Sequence, residues 1–160
     1  MDLDRILPNV LVGSCPRSRA DIEQLADFGV TAVLNVQTDE DMAYWGIGWA
    51  AMETAYQGAG IECRRVPVLD FNPDDLCRRL PDCVQVLDEL LRGGHTVYVH
   101  CSAGLNRSPS TVVGHLHWHQ GMTLTEAMEF VTRRRHCAPY VAAIRQATED
   151  RVAGGGPGRS

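Results

Sequence analysis

Short apolar, β-branched runs alternate along the chain with longer stretches whose apolar positions recur every three or four residues, the two periods of strands and helices. Residues 5–12 read as a short strand kinked or turned at Pro8 and Asn9, and the glycine- and proline-bearing residues 13–16 break it. Ser18 is placed to cap a helix with Ile22, Leu25, Ala26 and Phe28 on its apolar stripe, and Gly29 ends that helix. Residues 30–36 suit a buried strand. Residues 38–45 turn from polar to aromatic and lead into a helix over about 47–57, which Gly58 and Gly60 stop. Residues 61–69 form the next predicted strand.

The strongest helical signal covers residues 74–91, where Leu76, Leu80, Val84, Leu87 and Leu91 fall on one face, although Pro81 should bend or divide it. Residues 96–100 are β-branched and aromatic and read as the central strand. Three helices follow, over 109–119, 124–135 and 139–152, and the glycine-rich residues 153–160 read as a disordered tail. The alternation predicts an α/β fold with a central, mostly parallel sheet flanked by helices, in one domain over residues 1–152. Ligands of such sheets sit at the carboxyl ends of the strands.

Composition narrows the chemistry. The chain has 160 residues, 20 acidic against 15 basic, and a formal charge of −5. Every basic residue other than histidine is arginine. Without lysine there is no Schiff base and no P-loop lysine to reach a nucleotide's phosphates. The acidic balance argues against a nucleic-acid partner. No apolar run approaches the roughly 18 residues that span a bilayer, and no signal peptide is visible, so no membrane association and a cytoplasmic location are expected. The six cysteines are scattered, without a C-x-x-C, and read mostly as small buried hydrophobes. His115, His117 and His119 alternate, but only His115 and His119 share a helical face. With no carboxylate pattern beside them in sequence, no metal site is expected. Arg133, Arg134 and Arg135 close a helix, where cations suit the dipole.

One segment carries chemistry. After residues 96–100 comes His100-Cys101-Ser102-Ala103-Gly104-Leu105-Asn106-Arg107-Ser108-Pro109, the only C-x5-R in the chain, set between a strand and a helix. A tight loop there wraps an anion: the backbone N–H groups of Ser102, Ala103, Gly104, Leu105, Asn106 and Arg107 point inward, the helix adds its positive end, and the Arg107 fork takes two phosphate oxygens. The same field favours a thiolate at Cys101. Ser108 is placed to hydrogen-bond that sulfur when it leaves. Phosphoryl transfer to sulfur also needs a proton for the departing oxygen. Asp70, ending a predicted strand at the same sheet edge, is the candidate acid, with Asp74 the alternative if it is not merely a helix N-terminal residue.

These residues resemble the cysteine-dependent protein tyrosine phosphatases of the dual-specificity class, whose H-C-x5-R-S/T signature His100 to Ser108 match, and the resemblance covers nearly the whole chain. It implies attack by Cys101 on phosphorus, binding of phosphate and transition state by Arg107, protonation of the leaving oxygen by Asp70, and no cofactor or metal. The stretches Val33-Leu34-Asn35-Val36-Gln37, Tyr44-Trp45-Gly46-Ile47, Asp70-Phe71 and Ala143-Ile144-Arg145-Gln146-Ala147-Thr148 look like the glucan phosphatases of the laforin type. That narrower resemblance implies a glucan channel lined by Tyr44, Trp45 and Phe71, and with 160 residues no carbohydrate-binding module is expected. Asn106, where those enzymes carry glycine, is instead similar to RNA 5′-triphosphatases. Asn35 replaces a cysteine that some relatives pair with the nucleophile, leaving Cys15 and Cys63 as alternatives. The expected partner is a phosphorylated substrate, glucan or phosphoprotein.

Overall fold

In the computed structural model, which describes residues 1–154, the chain runs β1 (Leu3–Leu7), β2 (Val10–Gly13), α1 (Arg19–Asp27), β3 (Ala32–Asn35), α2 (Asp39–Tyr44), α3 (Trp49–Gly58), β4 (Glu62–Arg65), α4 (Pro73–Arg92), β5 (Val97–His100), α5 (Arg107–His119), α6 (Leu124–Arg134) and α7 (Val141–Gly154). The sheet order is β1-β2-β5-β3-β4. Only the β1–β2 pair is antiparallel, so the sheet is mostly parallel, with β5 at its centre.

The three central strands are buried on both faces and divide the core by strict alternation. Val10 and Val12, Ala32 and Leu34, and Val97 and Val99 face the layer built with α4, α5, α6 and α7. Leu11, Val33 and Tyr98 face the smaller layer with α1 and α3. This register aligns Gly13, His100 and Asn35 at the carboxyl edge, where the strands stop together.

Several elements depart from the expected boundaries. Residues 5–12 make a hairpin rather than one kinked strand, because Leu7 pairs with Val10 and leaves Pro8-Asn9 as a two-residue turn. Residues 39–44 form a helix of their own, begun by a capping box in which Thr38 and Asp41 exchange side-chain-to-backbone hydrogen bonds. Strand β4 ends at Arg65, not Leu69. Val66 and Val68 still donate to Asn35 O and Val36 O, but Pro67 has no N–H and the register slips, so the chain peels away toward the site. In α1 only Ile22 and Leu25 are buried, while Ala26 and Phe28 face out.

Pro81 does not divide α4. The helix runs 20 residues with Leu76, Leu80, Cys83, Val84, Leu87 and Leu90 buried on one stripe, and that burial outweighs the hydrogen bond the proline removes. Helix α7 continues through Gly154, so Ala153 and Gly154 belong to it rather than to a tail, and the rest of the expected tail lies outside the described residues. No helix among the described residues is long and apolar enough to cross a membrane.

Candidate active site

The loop after β5 is held in shape from behind. Its carbonyls are taken one by one: Ser102 O accepts from Cys15 N–H at 2.9 Å, Ala103 O and Gly104 O from the Arg135 guanidinium at 3.2 and 2.8 Å, and Leu105 O from Ala138 N–H at 2.8 Å. Asn106 O accepts from the N–H and the hydroxyl of Ser110. A loop whose carbonyls are held outward turns its N–H groups inward, forming a concave anion site. Helix α5 starts there without a side chain capping its first N–H groups, so its positive end also faces the loop. Gly104 makes the turn possible. It adopts φ +71°, and a Cβ there would lie 2.5 Å from the Gly13 backbone.

Cys101 sits buried at the loop's base, its Sγ 3.3 Å from Ser108 Oγ. Arg107 is also buried. Its Nη1 donates to Asp41 Oδ2 at 2.7 Å and to Val68 O at 2.8 Å, and its Nη2 lies 3.3 Å from Asp70 Oδ2. Nε has no hydrogen-bond partner among the described residues. The Nε/Nη2 edge is therefore the one left for a phosphate, while the Nη1 corner anchors the guanidinium. Burial opposes ionisation of Asp41, but hydrogen bonds from Arg107 and Thr38 outweigh it and hold the carboxyl below its ordinary range.

Asp70 reaches the site on the segment that leaves β4. Asp75, buried at the start of α4, accepts from Leu69 N–H at 2.8 Å and fixes that segment, while Asn72 caps α4 by accepting from Asp75 N–H. Asp70 Oδ1 accepts from Phe71 N–H, and Phe71 takes φ +52°, an uncommon conformation for a bulky side chain, so that its ring projects outward, 81% exposed. Asp74 lies instead in a separate hollow with Pro73, Cys77 and Arg78. Tyr44, 81% exposed, and Trp45, 40% exposed, meet edge to face at 5.2 Å across the mouth. Together with Glu40, Asp41, Asp70, Phe71 and the loop they enclose a cleft of about 530 Å³.

His100 is buried beneath the loop, and its Nδ1 donates to Cys101 O at 2.9 Å, since a carbonyl only accepts. Burial, with the charges of Arg107 and Arg65, pushes the imidazole down to about 4. The unfolded chain, with an ordinary pKa near 6.5, then binds the proton more tightly than the folded one. His100 therefore contributes stability that is fully present above about pH 6.5 and is lost as pH falls toward 4. In urea unfolding the stability lost between pH 7 and pH 5 should be smaller by about 2 kcal/mol in His100→Gln than in wild type; an equal loss in the two would exclude His100 as a cause.

The structure brings Cys101, Arg107, Asp70, Tyr44, Trp45 and Phe71 to one cleft, as it does Ser102, Ala103, Leu105 and Asn106, while Ser108, against the Cys101 sulfur, and Gly104 are buried and do not line it. The Asn106 side chain is turned out of the loop, donating to Ala138 O at 2.8 Å. Sequence reasoning missed three neighbours. Asp41 had a signal, the Thr38-x-x-Asp41 capping pattern. Gln37, whose Nε2 donates to Ser102 Oγ at 3.0 Å, had only its place in the stretch of residues 33–37 that resembles the glucan phosphatases. Arg135, a helix-end cation by its place in the sequence, is instead buried, paired with Asp2 and Asp4, and clamps the loop. Cys15 lies against the loop, whereas Cys63 is on β4 in the α1–α3 layer.

The family described as dual specificity phosphatase, catalytic domain, matches residues 10–149. The chain is 36% identical over 153 residues to phosphoglucan phosphatase LSF1, chloroplastic, of Arabidopsis thaliana, covering 96% of this chain and 26% of that protein. It is 36% identical to laforin of Mus musculus over 163 residues, covering 94% and 49%. The chain thus spans between a quarter and a half of these relatives. Among solved structures, that of PTPMT1 superposes with a TM-score of 0.77 at 23% identity, over 95% of this chain and 97% of that one, a likeness of fold.

Proposed function

The chain belongs to the dual-specificity phosphatase family, and from that premise we propose that it hydrolyses phosphate monoesters through a phosphocysteine intermediate, with phosphorylated glucan as its substrate class. The Cys101 thiolate attacks phosphorus as the bond to the ester oxygen breaks. Arg107, through Nε and Nη2, and the inward N–H groups hold the equatorial oxygens, whose charge is spread in the transition state. The Asp70 carboxyl gives its proton to the departing oxygen. As carboxylate it then takes a proton from water, which attacks phosphorus and breaks the P–S bond, while the Ser108 hydroxyl donates to the leaving sulfur. All of these groups are the chain's own.

The observation that carries the glucan reading is the aromatic mouth. Tyr44 and Trp45 do not pack beneath the loop. They stand exposed at its rim with Phe71, and flat aromatic faces suit the C–H faces of sugar rings. The test compares phosphate release from solubilised phosphorylated amylopectin, a phosphotyrosine peptide and para-nitrophenyl phosphate, with reductant and without metal. Wild type should prefer the glucan. Tyr44→Ala/Trp45→Ala should lose about 10- to 100-fold in kcat/KM on glucan, the scale of two ring contacts, and less than about 3-fold on para-nitrophenyl phosphate. Equal losses on both, or a preference for the peptide, would leave the aromatics without a glucan role.

A further inference from the structure

Helix α5 has a second polar cluster, at the end opposite the loop. His115 and His119 lie one turn apart on it, and Asp88 of α4 meets them, so that one nitrogen from each ring and one carboxylate oxygen fall within 4.8 Å of one another. His119 Nδ1 is 3.9 Å from Asp88 Oδ1, and the two rings are 5.4 Å apart at 31°. The carboxylate that sequence adjacency lacked is thus supplied by the packing of α4 on α5. Ligands around a four-coordinate ion at about 2.0–2.1 Å lie roughly 3.4 Å apart, so side-chain adjustments of about 1 Å would close the set.

An independent observation points to a ligand. His115 is 1% exposed, and its Nδ1 has no hydrogen-bond partner among the described residues. The ring's other nitrogen has, among the described residues, one long hydrogen-bond contact, with the Gln120 amide at 3.5 Å, so neither nitrogen is firmly committed to a protein partner. A buried nitrogen without a partner costs about 1–3 kcal/mol and asks for an occupant. Arg92 Nε donates to Asp88 Oδ2 at 2.8 Å and so orients Oδ1 toward His119. A cleft of about 460 Å³, bordered also by Leu7 and Asn9 of the hairpin, gives access.

We propose that Asp88, His115 and His119 bind one divalent transition-metal ion of the zinc type, with solvent completing its coordination, and that the ion clamps α4 to α5. Two imidazoles and one carboxylate suit zinc and its neighbours rather than magnesium or calcium. The 12-residue step from Arg107 to His119 puts the site about 18 Å along α5 from the catalytic loop. The ion therefore takes no part in phosphoryl transfer, and its effect is on stability.

Zinc chloride titrated into the full chain by calorimetry tests this, in a Cys101→Ser background that removes the loop thiolate. One equivalent should bind and raise the Tm. Adding His119→Ala, or separately Asp88→Asn, should weaken binding at least about 10-fold, the scale of losing a ligand or its support, and abolish the Tm gain while the metal-free Tm stays near the parent's. Cobalt in place of zinc should give visible bands without a thiolate charge-transfer band. Unchanged affinity in both added variants, a thiolate band at the tight site, or no binding by the Cys101→Ser parent would each overturn the proposal. None of these outcomes bears on the phosphatase reading.

Discussion

Cys101→Ser is expected to lower kcat/KM by at least about 10⁴-fold on every phosphate ester tested, the scale of removing a covalent nucleophile, while the protein keeps its fold and its affinity for inorganic phosphate. An alcohol needs a general base to attack phosphorus, and none is in position among the described residues. His100, the adjacent residue, is turned beneath the loop with its Nδ1 committed to Cys101 O. Asp70 faces Arg107, with one carboxylate oxygen also held by Phe71 N–H, and serves the opposite side of the reaction. The exchange of sulfur for oxygen removes no carbon, and the loop's shape rests on Cys15, Arg135, Ala138 and Ser110 rather than on the thiol. Phosphate release assayed beside thermal unfolding and phosphate binding checks both halves. Residual turnover above about 1% of wild type would remove Cys101 from the nucleophile's role.

Arg107→Lys should cost at least about 10³-fold in kcat/KM, and unlike Cys101→Ser it should also lose phosphate binding and lower the Tm. The guanidinium serves four groups from one plane: Asp41, Val68 O, Asp70 and, along its Nε/Nη2 edge, the phosphate. An ammonium offers three donors about a single point and cannot span them. Loss of one preorganised donor already costs about 10²- to 10³-fold in comparable sites, and here a bidentate contact goes together with the anchor that places it. Asp41 would also be left with a poorer partner in a half-buried position, hence the lower Tm. A lysine variant with near-normal phosphate affinity would show that the inward N–H groups suffice to hold the anion and that the fork is dispensable.

Much of this arrangement is legible along the chain because it is local. The strand, the C-x5-R loop and α5 are contiguous, so the nucleophile and its phosphate cradle follow from one segment of ten residues read in order. Alternating burial in β2, β3 and β5 follows from a period of two, and the apolar stripe of α4 from a period of 3.6, strong enough to carry the helix through Pro81. Asp70 is readable as a residue at the right sheet edge, since parallel strands bring their carboxyl ends together whatever the details of packing, whereas Tyr44 and Trp45, at the end of α2, are singled out only by the resemblance to the glucan phosphatases.

The order of elements, the α/β class and the reactive loop depend on neighbours within a few residues and can be read along the chain. The distant side chains that complete them are chosen by the packing of the folded molecule. It put Asp41 on Arg107 across a separation of 66 positions, turned Arg135 inward to hold the loop with Asp2 and Asp4 at its back, and set Asp88 against His115 and His119. Such contacts are set by how helices dock on the sheet and on one another, where a side chain's partner is chosen by geometry and by the high cost of leaving a buried charge unpaired. Residue type and spacing along the chain record neither.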